Sequence, residues 1–197
     1  MIRHGEAEHN VDDDALHKRD TELTKVGREQ AKDLGSRLVK IKTDVVLTSP
    51  VLRALQTTKH MLAGASVAEA KLKKKKWDFT PEVILDLRER VSCADHLCEF
   101  PVDPKRIEKG MIRDNFGFYN WTDTQKRVGE FESLEEFEEN ISSYDLCEDT
   151  DNINERAMEL RTYLNQRKET RITVVSHGAF LMYLTDDEYM DNCELRS

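Results

Sequence analysis

Three kinds of side chain recur where this chain could do chemistry: guanidinium, imidazole and carboxyl. The sequence opens "MIRHGEAEHN", placing Arg3 and His4 directly before Gly5. Near the other end, "VVSHG" closes a β-branched run with His177 and Gly178. In both places a glycine lets the backbone turn away while the imidazole stays behind. Arg53 follows "LTSP", and Glu89 follows "PEVILDLR". Guanidinium groups match phosphate oxygens in a two-pronged fork. An imidazole can attack phosphorus, and a carboxylic acid can protonate a leaving oxygen. Two Arg, two His and one Glu therefore suit phosphoryl transfer, in which positioning and charge stabilisation do most of the work. Metal-assisted hydrolysis needs more carboxylates beside the histidines and fits less well. Taken singly, His4 reads as an ordinary strand-end histidine, Arg53 as a helix-surface cation and Glu89 as a solvated charge. Their joint position after apolar strands favours a site.

The elements that must position these groups read as follows. Residues 1–4 form a strand stub, and 5–22 a polar loop carrying "DDD". "LTKVGREQAKDLGSRLVKI" is a helix capped by Thr24, with Val26, Ala31, Leu34, Leu38 and Ile41 on its apolar face. "DVVLTS" is a buried strand. In "SPVLRALQTTKHML", Ser49 caps, Pro50 suits the first helical position, and Leu52, Leu55 and Leu62 give the apolar face. A third strand is expected over roughly residues 82–87. Residues 90–130 are irregular and read as an insertion of the lid type. "SLEEFEENISSY" carries a capping box from Ser133 to Glu136, "NINERAMELRTYL" is an amphipathic helix, "RITVVS" a fourth strand, and "AFLMYL" opens a helix. Strands alternating with helices imply an α/β sandwich with a largely parallel sheet. In such a sheet the carboxyl ends of the strands share one crevice, so His4 and His177 can meet there.

"RHGEAEHN", "LTKVGREQAKDLGSRL", "LTSPVLRALQTT" and "VVSHG" together resemble the histidine phosphatase superfamily, which includes cofactor-dependent phosphoglycerate mutases and many phosphatases. The likeness covers residues 1–62 and 170–183. It implies a three-layer α/β/α sandwich with a mostly parallel central sheet, of the phosphoglycerate mutase-like kind. It further implies that His4 is the phosphate-accepting nucleophile and that Arg3, Arg53 and His177 hold the phosphoryl group. Asn10 matches a family position near the phosphate. Glu89 most resembles the general acid, with Asp86 and Glu82 as fallbacks. Neither a metal nor a cofactor is implied. In place of the aromatic run and "ERHYG"-like stretch that mark mutases, this chain has "VDDDALHKRD" and "LRERVSC". It therefore resembles a phosphatase branch acting on a small phosphorylated substrate. The alternatives are a mutase-type phosphotransferase and an inactive phosphate-binding protein. The tail "NCELRS" resembles a fungal branch. Only Met1 and Ile2 precede "RHG", where the family usually carries several apolar residues, so either the first strand is very short and prone to fray or the start of a longer chain is missing.

The bulk properties narrow the partners. With 197 residues, the chain reads as one domain, 1–197, with the lid inserted. A net charge of −9 argues against nucleic acid, whose binding depends on neutralising phosphates. A local cluster of Arg and His can still reverse the field in one pocket. Cys93, Cys98, Cys147 and Cys193 lack zinc spacing and read as reduced thiols. No stretch suits a membrane span or a signal peptide, so a cytoplasmic location is expected. "KLKKKKW" reads as the solvated end of a helix, and Phe116, Phe118, Tyr119 and Trp121 as packing before pocket wall. Nothing in the composition gives the oligomeric state.

Overall fold

The computed structural model describes residues 1–18, 20–72, 80–90, 116, 119–128, 148–186 and 188–196. Most of the insertion expected at 90–130 lies outside the described residues, as do the 133–136 capping box, Phe118, Cys93, Cys98 and Cys147.

Short runs rich in Val and Ile form the strands: β1 (Ile2–Arg3), β2 (Val45–Thr48), β3 (Glu82–Val83) and β4 (Ile172–Ser176). They pair in parallel, in the order β1-β4-β2-β3. All four residues of β2 are buried. That suits a parallel sheet covered on both faces. Alternate side chains divide between two cores. Val45, Leu47 and Val174 pack with helices α4 (Thr150–Gln166) and α5 (Gly178–Thr185). Ile2, Val46 and Val175 pack with α1 (Lys25–Leu38) and α2 (Leu52–Leu72). The result is the expected three-layer α/β/α sandwich.

Local signals set most boundaries. Thr24 caps α1 by accepting from Gly27 N at 3.0 Å, and Asp149 caps α4 by accepting from Asn152 N at 2.8 Å. Four expectations need correction. Val26 and Ile41 are exposed rather than part of the core face of α1. The helix after "LTSP" begins at Leu52, two residues beyond Pro50, and Asp20 Oδ1 accepts its first N–H at 2.7 Å. The third strand stops at Val83, and Leu85–Leu87 form a 3₁₀ turn. Finally, β1 is short but held on both sides. It pairs with β4, and Leu195 bridges antiparallel to Ile2 on its other edge.

Phe116, Tyr119 and Trp121 are buried with Leu52, Leu55 and Val83, so they pack rather than wall a pocket. A seven-residue helix, α3 (Thr122–Val128), follows them. Among the described residues no helix is long and apolar enough to cross a membrane.

Candidate active site

The carboxyl ends of β1 and β4 lie side by side, and the chain leaves both through a histidine. His4 N donates to Ser176 O at 2.9 Å, continuing the ladder past Arg3. The His4 and His177 rings then face each other with centroids 5.2 Å apart. Both are buried. The sheet thus brings together two imidazoles from opposite ends of the sequence.

Hydrogen bonding fixes the state of His4. Its Nδ1 lies 2.7 Å from Gly5 O. A carbonyl can only accept, so Nδ1 carries the proton and Nε2 keeps its lone pair. Arg53 Nε donates to that lone pair at 3.2 Å. Burial holds the His4 pKa well below its ordinary value of 6.5, and the charges of Arg53 and Arg3 push it the same way. The ring is therefore neutral at physiological pH, and its Nε2 lone pair is held under Arg53.

Gly5 is held close to two elements. Its N–H donates to Thr57 Oγ1 at 3.0 Å, and a Cβ on it would stand 2.7 Å from Gly27 O. Only glycine fits this approach without a shift. Thr57 in turn donates to Arg53 O at 2.7 Å, so one hydroxyl ties the loop after His4 to the helix carrying Arg53. Arg53 is wholly buried in the first turn of α2. His177 Nε2 lies 2.8 Å from Ser49 Oγ, at the end of β2.

Arg3 is buried on the other side. Its Nη1 donates to Met190 O at 2.9 Å, and its guanidinium lies 4.7 Å over the Tyr189 ring. Its Nε is buried with no hydrogen-bond partner among the described residues. Burial lowers the Arg3 pKa, while Tyr189 and Glu89 act in the opposite sense.

Glu89 is buried next to the start of α5. Its Oε1 accepts from Phe180 N at 3.0 Å and from Arg90 N at 2.9 Å. An oxygen receiving two N–H donors cannot also hold a proton, so in the acid form the proton sits on Oε2. The two fallback carboxylates are engaged elsewhere. Glu82 accepts two bonds from Arg167, at 2.8 and 3.0 Å, and Asp86 lies 3.5 Å from Arg88. Asn10 is exposed. Its Oδ1 accepts from Ala7 N at 2.9 Å, and its Nδ2 lies 2.9 Å from His9 Nε2, so the side chain braces its own loop.

The structure therefore places Arg3, His4, Arg53 and His177 around one buried point at the carboxyl edge of the sheet. Glu89 joins them from the loop after β3, and Asn10 stays at the surface loop. Thr57, Ser49 and Ser176 support the set and are not among the residues to which the sequence points. The only available signal was that Thr57 lies inside "RALQTT", four residues after Arg53 on one helix face. His9 also lies beside the set, its ring centroid 5.6 Å from that of His4. Two helix N-termini, of α2 and α5, point toward the same edge and favour an anion there.

Comparison with known proteins places this arrangement. The profile of the histidine phosphatase superfamily (branch 1) matches residues 1–78. Phosphoglycerate mutase-like protein 1 of Arabidopsis thaliana is 25% identical over 238 residues, covering 100% of this chain and 78% of the relative. A 2,3-bisphosphoglycerate-dependent phosphoglycerate mutase of Staphylococcus epidermidis is 36% identical over 67 residues, covering 33% of this chain and 29% of that protein. Among solved structures, a candidate alpha-ribazole-5'-P phosphatase of Escherichia coli superimposes with a TM-score of 0.54 at 22% identity, over 93% of this chain and 75% of that one. This last likeness shows the fold. The relatives come from a plant and bacteria, and the fungal resemblance of the tail gains no support from them.

Proposed function

We propose that the chain is a member of the histidine phosphatase superfamily, whose profile matches residues 1–78, and that it hydrolyses a small phosphomonoester through a phosphohistidine. The observation that carries this reading is the His4 ring. It is buried and neutral, with its Nε2 lone pair under Arg53 Nε and its centroid 5.2 Å from that of His177.

The geometry supports the following steps. His4 Nε2 attacks phosphorus while Arg3, Arg53 and His177 hold the phosphoryl oxygens. The bond from phosphorus to the ester oxygen breaks, and its electron pair leaves on that oxygen. Glu89 Oε2 delivers a proton to it and becomes a carboxylate. A water then attacks phosphorus, giving its proton to Glu89. The P–N bond breaks, its electron pair returns to Nε2, and inorganic phosphate leaves. The two guanidiniums offset charge on the transferring oxygens inside a buried site, where such contacts count most.

A phosphotransferase is the second reading, favoured by the phosphoglycerate mutase names of the relatives. The two differ in the acceptor, water or a hydroxyl of a phosphorylated three-carbon acid. Incubating the enzyme with such an acid and following isomer formation against phosphate release separates them.

The first prediction tests the mechanism common to both. Wild type hydrolyses p-nitrophenyl phosphate, and His4→Ala lowers kcat by about 10³-fold or more, because the attacking nitrogen is gone. Brief mixing with substrate followed by alkaline quench gives an acid-labile ³¹P signal in wild type alone. Turnover unchanged in His4→Ala overturns the mechanism. Phosphate binding with no turnover by wild type at any pH points instead to an inactive binding protein.

A further inference from the structure

Glu89 follows a stretch of backbone whose carbonyls are held by side chains from two other elements. Arg156 Nη1, on α4, donates to Asp86 O and to Arg88 O, each at 2.9 Å. Ser176 Oγ, at the end of β4, donates to Leu87 O at 2.7 Å. Three successive carbonyls are thus fixed just before the carboxyl group. Arg90, on the other side of Glu89, donates through Nε to Glu148 O at 3.1 Å.

Arg156 is itself locked. Glu148 accepts its Nε at 3.0 Å and its Nη2 at 2.6 Å, a two-pronged pair that is almost wholly buried. Its guanidinium carbon stacks 4.2 Å over the ring of Phe180, and Phe180 N is the donor that holds Glu89 Oε1. One side chain therefore grips both the backbone leading to Glu89 and the helix turn that orients its carboxylate. A buried arginine bonded to carbonyls of a loop, rather than only to its carboxylate partner, does more than satisfy a charge. Among the described residues, none of its hydrogen bonds reaches His4.

We propose that Arg156, clamped by Glu148, is a positioning residue that aims Glu89 at the leaving-group oxygen. This rests on the reading of Glu89 as proton donor given above. A misaimed acid affects substrates unequally. An alkoxide leaving group needs the proton as the P–O bond breaks, whereas a 2,4-dinitrophenolate leaves unaided. The aim of Glu89 thus shows in the ratio of kcat/KM for an alkyl phosphate to that for 2,4-dinitrophenyl phosphate. A general loss of fold lowers both rates and leaves the ratio alone.

The second prediction uses this ratio. Arg156→Lys keeps the charge but cannot make the two-pronged pair and both carbonyl bonds. It is expected to lower kcat/KM at least tenfold on glycerol phosphate and less than threefold on 2,4-dinitrophenyl phosphate. Equal losses on the two substrates, or no loss on either, overturn the proposal. If Arg156→Lys melts below the assay temperature, Glu148→Gln, which leaves the guanidinium but weakens its partner, is read by the same ratio with a smaller expected change. Glu89→Gln separates the two levels of inference. It should show the larger ratio change of the three. An unchanged ratio there removes Glu89 as the donor and with it that part of the proposed function. A changed ratio in Glu89→Gln with an unchanged one in Arg156→Lys leaves the donor in place and removes Arg156 alone.

Discussion

At the scale of single residues, His4, the proposed nucleophile, also contributes to the pH dependence of the fold. Burial first, then Arg53 and Arg3, hold its folded-state pKa well below 6.5, whereas in the unfolded chain it titrates near its ordinary value. Below about pH 6.5 the unfolded state binds a proton that the folded state refuses. Stability from this residue is therefore full above the unfolded pKa and falls as the pH drops toward the folded one. The third prediction is that His4 costs the fold stability progressively as the pH drops below about 6.5, the unfolded-state value. His4→Asn removes that contribution, and its Tm should fall less steeply over the same range. Parallel Tm profiles for the two proteins would refute the assignment. The same scale shows what sequence reveals about a site. Arg3, His4, Arg53 and His177 each stand at the end of an apolar strand or the start of the following helix, so their neighbours advertise them. Arg156 acts by donating to backbone oxygens of a remote segment, and Thr57 by accepting the N–H of Gly5. A backbone group has no residue type, and no spacing in the sequence records the contact.

At the scale of elements, the face that carries Arg53 depends on how closely α1 and α2 approach. Gly35 on α1 and Gly64 on α2 make the approach. A Cβ on Gly35 would lie 1.9 Å from Met61 O, and one on Gly64 2.1 Å from Lys32 O. Helix propensity alone favours replacing either glycine by alanine, by about 1 kcal/mol. The clash with rigid helix backbone opposes it and wins, since overpacking a close contact costs about 1–3 kcal/mol. The fourth prediction is that Gly35→Ala lowers Tm in spite of its better propensity. A rise in Tm would show that the helices can separate without cost. Most elements were readable from pattern: the capped helices, the wholly buried β2, and the last strand before His177. The third strand was not. In Leu85-Asp86-Leu87 an apolar-polar-apolar run suggests a strand, but a 3₁₀ turn buries both leucines and leaves Asp86 less covered just as well. Alternation over three residues cannot separate the two. The turn is what lets the chain present Glu89 at the edge of the site.

At the scale of the whole molecule, His4, the proposed nucleophile, directly follows a two-residue strand that no local interaction could hold. Its support comes from the far end of the chain. Cys193 N lies 3.1 Å from Arg3 O and 3.2 Å from His4 O, and Arg196 N donates to Met1 O at 3.0 Å. Arg196 also donates to Glu188 O at 2.8 Å and Tyr189 O at 3.2 Å, fixing the segment whose ring and carbonyl hold Arg3. The tail thus forms the outer edge of the sheet, and the short first strand that looked prone to fray in sequence is clamped between β4 and residues 193–196. Burial pushes the Cys193 thiol up to about 12, so it stays protonated and inert in this position. The fifth prediction follows from which group the tail touches. Deleting residues 193–197 loosens Arg3 and His4 but leaves the Arg156–Glu148 clamp intact. Misplacing a nucleophile slows every substrate alike, by about 10- to 100-fold for shifts near 1 Å. Glycerol phosphate and 2,4-dinitrophenyl phosphate should therefore lose kcat/KM by the same factor in the shortened chain, in contrast to Arg156→Lys. A loss confined to the alkyl phosphate would mean that the tail acts through Glu89 instead, and unchanged rates on both would mean that β4 alone is enough to hold β1.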